Sequence, residues 1–211
     1  ENRFYLAVCD STGHGVPGAF VSIIGYNGLH RAINKFERTK PAEILDKLNE
    51  LVEEMFGQNG AQIKDGMDIA LCSYDRSTKT LEFAGANNPI YIVSDDVNKF
   101  WGANKSVVLG KWTLSEVKGD KQPIGAFDNR KKFTNHSFKL KEGDTVYIFS
   151  DGYADQFGGV SNKKFMYSQF KNTILSMQAN SIAEHRDILN NQIEKWKGDL
   201  EQVDDICVIG V

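Results

Sequence analysis

Apolar residues fall into runs whose period shifts along the chain. Arg3 to Cys9 (RFYLAVC) is short, apolar and rich in β-formers, and predicts a buried strand ending at Asp10. A loop follows, Ser11-Thr-Gly-His-Gly, and Pro17 stands where a helix begins. Phe20, Ile23, Ile24, Leu29 and Ile33 recur at helical spacing as far as Asn34. Pro41 opens a second helix, with Ile44, Leu45, Leu48, Leu51, Val52 and Met55 on one face, and Gly57 ends it. From Gly66 the pattern becomes that of strands. Met67 to Tyr74, Thr80 to Ala86 and Ile90 to Val93 read as strands, joined by turns at Arg76–Lys79 and Asn87-Asn88-Pro89. Asn98 to Lys111 reads as polar and irregular, Leu114 to Val117 as a short strand, and Gly119 to Gly125 as a loop. Lys131 to Leu140 alternates as a half-exposed strand with Phe133 and Phe138 inward, and Thr145 to Phe149 as a buried one. Ser150 to Lys164 reads as a loop, Tyr167–Met177 and Ile182–Lys197 as helices, and Ile206 to Val211 as the closing strand.

Blocks in this order, strand, helices, strands, helices, strand, predict α+β layers and not alternating βαβ units. The chain has 211 residues and shows no internal repeat, low-complexity tract or linker, so residues 1–211 read as one domain. It starts at Glu1 and enters a strand at once, which reads as a piece of a longer protein. A net charge of −3 gives no electrostatic reason for nucleic-acid binding. No apolar run approaches the roughly 18 residues of a membrane span, so no membrane contact is expected of this domain. Cys9, Cys72 and Cys207 lie in apolar runs without CxxC spacing, which predicts reduced core thiols in a cytoplasmic protein.

The candidate chemistry lies in one repeated pattern. An apolar strand ends in, or begins with, an aspartate beside a loop: Val8-Cys9-Asp10, Phe149-Ser150-Asp151-Gly152, and Asp204-Asp205-Ile206. Clustered carboxylates repel unless a cation sits between them, and hard oxygen donors favour Mg²⁺ or Mn²⁺. Taken singly, each aspartate is equally a turn former.

Longer motifs carry more. Asp10-Ser-Thr-Gly-His-Gly-Val-Pro-Gly-Ala-Phe resembles the D-x-T-G-H-G-V-P-G-A-F signature of the SpoIIE/RsbU-type phosphatases, the bacterial branch of the metal-dependent PPM (protein phosphatase 2C-like) family. Asp65-Gly-Met-Asp-Ile-Ala-Leu, Phe83-Ala-Gly-Ala-Asn-Asn-Pro, Lys118-Gly-Asp-Lys-Gln-Pro-Ile-Gly, Phe149-Ser-Asp-Gly-Tyr-Ala-Asp-Gln-Phe-Gly-Gly and Asp204-Asp-Ile-Cys-Val-Ile-Gly-Val match further family blocks in order. The resemblance implies a four-layer αββα sandwich with two central, mostly antiparallel sheets. It implies hydrolysis of phosphoserine or phosphothreonine on a protein by a metal-activated water, with two Mg²⁺ or Mn²⁺ ions per complete site. By motif match, Asp10 bridges the metals, the carbonyl of Ser11 is a further ligand, and Asp151 and Asp204 bind one metal. Asp205 then points elsewhere or binds through water. The implied substrate is a phosphorylated regulatory protein of the anti-sigma-antagonist kind, with a sensor or receiver domain upstream in the full-length chain.

Other residues carry two readings each. His14 is a candidate general acid toward the leaving oxygen, or a residue that shapes its loop. Gly13 and Gly15 suit positive φ and close backbone approach. Asp68 reads as a hydrogen-bonded structural carboxylate or a neighbour of the metals, and Asp155 as solvated or an accessory ligand. Asn87 and Asn88 read as turn residues, Lys121, Lys163 and Lys164 as solvated loop lysines, and His30, His136 and His185 as surface or helix positions. Phe20, Tyr26, Trp112 and Trp196 read as core or partly buried anchors. One family block has no counterpart: the strand that carries a G-D-x-Y/W-type acid would precede Arg3. Its absence predicts a weaker second metal site, weak activity and an open sheet edge that invites homodimerisation. Two alternatives stand beside the enzyme, a catalytically impaired module that binds a regulatory partner and a hydrolase of small phosphate esters.

Overall fold

The computed structural model describes residues 2–13, 15–57, 66–96 and 105–211. Contacts divide the chain into two compact units, Glu1–Pro89 with Lys118–Lys141, and Ile90–Val117 with Glu142–Val211.

The first unit is an antiparallel sheet with two helices. Its strands are β1 (Arg3–Ser11), β2 (Gly66–Asp75), β3 (Thr80–Ala86) and β8 (His136–Lys139), in the order β1-β2-β3-β8, with the two-residue β7 (Ile124–Gly125) also pairing with β2. Met67, Ile69 and Leu71 alternate along β2, so one face of the strand enters the core. Helix α2 (Pro41–Gly57) covers that face with Ile44, Leu45, Leu48 and Val52, all fully buried. Burial of each is worth about 1.5–3 kcal/mol relative to exposure. Phe133 and Phe138 are buried as expected, but only His136–Lys139 of the segment forms strand.

Helix α1 (Gly15–Asn34) turns a different face inward from the one its large apolar residues suggest. Its buried positions are Gly18, Val21, Gly25, Gly28 and Ala32, a stripe of small residues spaced three and four apart. Such residues admit close neighbours: a Cβ on Gly25 would meet Met67 and one on Gly28 would meet Leu48, each at 2.5 Å. Because this stripe faces inward, Phe20 and Tyr26 are exposed (61% and 71%) and are not core anchors. Ile24, Leu29 and Ile33 are partly buried at its flanks.

The second unit holds β4 (Ile90–Ser94), β5 (Lys105–Leu109), β6 (Trp112–Val117), β9 (Thr145–Phe149) and β12 (Val208–Gly210), all antiparallel in the order β12-β9-β4-β6-β5. Strand β5 lies where the sequence reads as irregular. Among the described residues it pairs with β6 alone, and an edge strand of five residues carries little pattern of its own. Helices α4 (Met166–Ser176) and α5 (Ile182–Lys197) supply Phe170, Ile174, Leu189 and Ile193 to a core with Tyr91, Tyr147, Phe149 and Tyr153. Tyr91 and Phe149 have ring centroids 4.6 Å apart, and so do Tyr153 and Phe170. Helix α5 starts in a capping box, with Ser181 and Glu184 satisfying each other's backbone N–H groups. His185 on this helix is buried, its Nδ1 2.8 Å from the Tyr147 hydroxyl.

The stretch from Gly152 to Lys164, expected as loop, contains a one-turn helix α3 (Gly152–Asp155) and a hairpin of β10 (Phe157–Gly158) and β11 (Lys163–Lys164). Cys9 and Cys207 are exposed, and of the three cysteines only Cys72 is a core thiol; none of them forms a disulfide. Among the described residues no helix is long and apolar enough to cross a membrane.

Candidate active site

In the first unit, β1 continues two residues beyond its apolar run, and this extension holds Asp10 and Ser11. The register sets Asp10 opposite Asp68 and Ser11 opposite Met67. Directly opposed residues leave an antiparallel pair on the same face, with Cβ atoms about 4.5–5.5 Å apart, and like charges there are unfavourable. Asn87, at the turn after β3 with φ 59°, donates from Nδ2 to Asp68 Oδ1 at 2.7 Å. Burial pushes the Asp68 carboxyl above its ordinary range, and the Asn87 amide draws it partway back. Asn87 is therefore a partner of an acidic side chain as well as a turn residue.

The loop after Asp10 is pinned by Thr12. Its N–H and its hydroxyl both donate to the Gly66 carbonyl, at 2.9 and 3.0 Å, and its Oγ1 accepts from the Gly66 N–H at 2.7 Å. Ser11 Oγ lies 3.0 Å from Ser22 Oγ, whose hydroxyl donates to the Gly18 carbonyl. Gly13 (φ 88°) and Gly15 (φ 67°) take the left-handed backbone that the motif reading assigns them. His14 and Asp65 lie outside the described residues.

In the second unit, two motifs distant in sequence interlock. Ser150 is buried at the end of β9. Its hydroxyl donates to the Asp205 carbonyl at 2.9 Å and accepts from the Cys207 N–H at 3.0 Å, while its own N–H donates to the Cys207 carbonyl. Gly152 lies flat against the same segment: a Cβ there would stand 2.5 Å from the Asp205 carbonyl oxygen. Asp151, between them, caps α3, and its carbonyl accepts from the N–H groups of Ala154 and Asp155. Asp204 accepts the Asp205 N–H through Oδ1 at 2.8 Å. The Ser and Gly of Ser-Asp-Gly thus follow from the packing: a small hydroxyl to clamp, and no side chain where the backbones touch.

Asp155 does not stand free in solvent. It pairs with Lys164 Nζ at 2.6 Å, and the charges of Asp151 and Asp204 also act on that ammonium. Lys164 is therefore ion-paired within the acidic neighbourhood, though its side chain remains open to solvent. Asp10, Ser11 and Asp68 belong to the first unit, and Asp151, Asp155, Asp204 and Asp205 to the second. Among the described residues no three His, Cys, Asp or Glu side chains are grouped as a metal site. The donors present are hard oxygens, in opposed or neighbouring pairs that a dication would relieve, which fits Mg²⁺ or Mn²⁺.

The family profile described as stage II sporulation protein E (SpoIIE) matches residues 1–211. No curated protein sequence matches the chain. Among solved structures, the chain is similar to the SiaA PP2C domain of Pseudomonas aeruginosa, at 25% identity and a TM-score of 0.79, over 99% of this chain and 79% of that one. It is similar to the PP2C phosphatase domain of the cell-fate determinant SpoIIE from Bacillus subtilis, solved with a fragment of its regulatory domain, at 15% identity and a TM-score of 0.71, over 99% and 54%. It is also similar to the RsbU and RsbW domains of Rv1364c from Mycobacterium tuberculosis, at 19% identity and a TM-score of 0.66, over 99% and 51%. The chain spans about half the length of the last two, and those two likenesses speak to the fold alone.

Proposed function

The chain belongs to the stage II sporulation protein E (SpoIIE) family of PP2C-type phosphatase domains, and on that premise we propose that it is a metal-dependent protein serine/threonine phosphatase acting on a phosphorylated bacterial regulatory protein. The observation that carries this reading is the interlock of Ser150-Asp151-Gly152 with Asp204-Asp205. It ties together, by hydrogen bonds and close backbone contact, the two motif segments that bear Asp151 and Asp204.

In this reading Asp10, the Ser11 carbonyl, Asp151 and Asp204 hold Mg²⁺ or Mn²⁺, with Asp68, Asp155 and Asp205 in accessory places. The ions, when bound, supply Lewis acidity and a water acidic enough to attack phosphorus near neutral pH. The protein's part is to hold the ligands still. Thr12 ties the Asp10 loop to Gly66, Asn87 orients Asp68, and Ser150 sets the segment that bears Asp204. His14 is the proposed donor of a proton to the departing serine or threonine oxygen. We place the domain in the cytoplasm, under an upstream sensor or receiver domain.

The substrate class is tested by Mn²⁺-dependent phosphate release from a phosphoserine peptide, set beside a nucleotide monophosphate and a sugar phosphate. The proposal expects kcat/KM for the peptide to exceed that for either small ester by about tenfold or more, about 1.4 kcal/mol in transition-state binding. The reverse order would make the chain a small-ester hydrolase.

A further inference from the structure

The carboxylates of the second unit have a cation built in among them. Lys164 reaches Asp155 Oδ2 at 2.6 Å from the end of β11. It does not arrive on a loose arm. The hairpin of β10 and β11 is fixed by the Gly159 N–H to the Trp196 carbonyl at 2.8 Å, the Trp196 indole to the Gln156 carbonyl at 3.1 Å, and the Phe165 N–H to the same carbonyl at 2.9 Å. Gly158 leaves no room for a side chain against Trp196. Asp155, in turn, sits one helical turn from Asp151, its N–H on the Asp151 carbonyl. Lys164 Nζ donates to Asp155; Asp151 and Asp155 stand four residues apart, at helical neighbour spacing, and the Asp204 backbone packs against Gly152 between them. The Lys164 and Asp155 side chains are 43% and 35% exposed, and an ion pair this open adds little to stability. Its placement therefore calls for an explanation other than holding the fold.

Resting on the metal-site reading above, we propose that Lys164 is the resident counter-cation of Asp151, Asp155 and Asp204, and that it weakens their affinity for a divalent metal. Lys164 is a positioning residue and touches no reacting atom. A dication entering this group meets a fixed positive charge, and neutralising that charge removes a repulsion felt by both charges of the metal. The arrangement keeps the carboxylates ordered without metal and sets the cation concentration at which the site fills.

The test is a calorimetric titration of Mn²⁺ into the wild type, Lys164→Gln, Lys164→Met and Lys164→Arg, at physiological ionic strength and again in about 1 M KCl. Both neutral variants are expected to bind Mn²⁺ about three- to tenfold more tightly than the wild type, and Lys164→Arg within about twofold of it. In high salt the separation shrinks. Two neutral side chains guard against one of them failing to fold, which circular dichroism reports. Neutral variants that bind no more tightly than the wild type overturn the inference and leave the metal site standing. Lys164→Arg binding as tightly as the neutral variants overturns it too, because shape and not charge would then set the affinity. Absence of Mn²⁺ binding in every protein, the wild type included, overturns the metal-site reading and this inference with it.

Discussion

At the scale of single residues, His136 shows how burial sets a titration. Its ring lies between Phe83 and Phe138, with centroids 5.9 and 6.3 Å away. Burial lowers its pKa, and the Asp120 charge only partly restores it. The native state therefore prefers neutral imidazole. Above the unfolded value near 6.5 this preference is fully present. As pH falls through that value the unfolded chain takes up the proton first, and stability declines until the folded pKa is passed. The urea midpoint is expected to drop between about pH 7 and pH 5, and His136→Phe to flatten that part of the curve. An equal slope in the variant would assign the loss to other groups. Nothing in the sequence marked His136 for this role, since its ring partners come from β3 and from its own strand two residues on. The same holds for Asn87: a turn residue by its neighbours, and a carboxylate partner only once β2 and β3 pair.

At the scale of elements, long periodic segments were legible and short ones were not. Thr80–Ala86, Thr145–Phe149 and Ile182–Lys197 have the bounds that alternation and capping predict. The one-turn α3 and the two-residue strands β10 and β11 are too short to carry a period. The hairpin of β10 and β11 is held by bonds to the distant Trp196 that no local pattern encodes. Helix α1 misled for a different reason: glycines make its buried stripe, so its large apolar residues mark the wrong face. The interlock of the β9 end with the segment before β12 is the element-scale feature most tied to chemistry, and Ser150 carries it. Ser150→Ala strands the Cys207 N–H and frees the Asp205 carbonyl, at an expected cost of about 1–3 kcal/mol in urea denaturation. Mn²⁺ affinity is expected to fall about tenfold or more as Asp204 loses its fixed place. A loss of stability with unchanged affinity would make the clamp purely structural.

At the scale of the whole molecule, the family and the α+β class were legible because six motif blocks keep their order over nearly the full length, and the family profile spans residues 1–211. The candidate ligands were legible by motif, while their supports, Thr12, Asn87, Ser150 and Lys164, became visible only through contacts. The central claim of the proposal is that the motif aspartates, Asp10 and Asp151 among them, serve a metal-dependent phosphate release. The most direct measurement is Mn²⁺-dependent phosphate release from a phosphoserine peptide by the wild type, Asp10→Asn and Asp151→Asn, with folding followed by circular dichroism. The account predicts metal-dependent release by the wild type that falls to background in each folded variant. Undiminished release by either folded variant, or a folded, Mn²⁺-binding wild type that releases no phosphate, would contradict it.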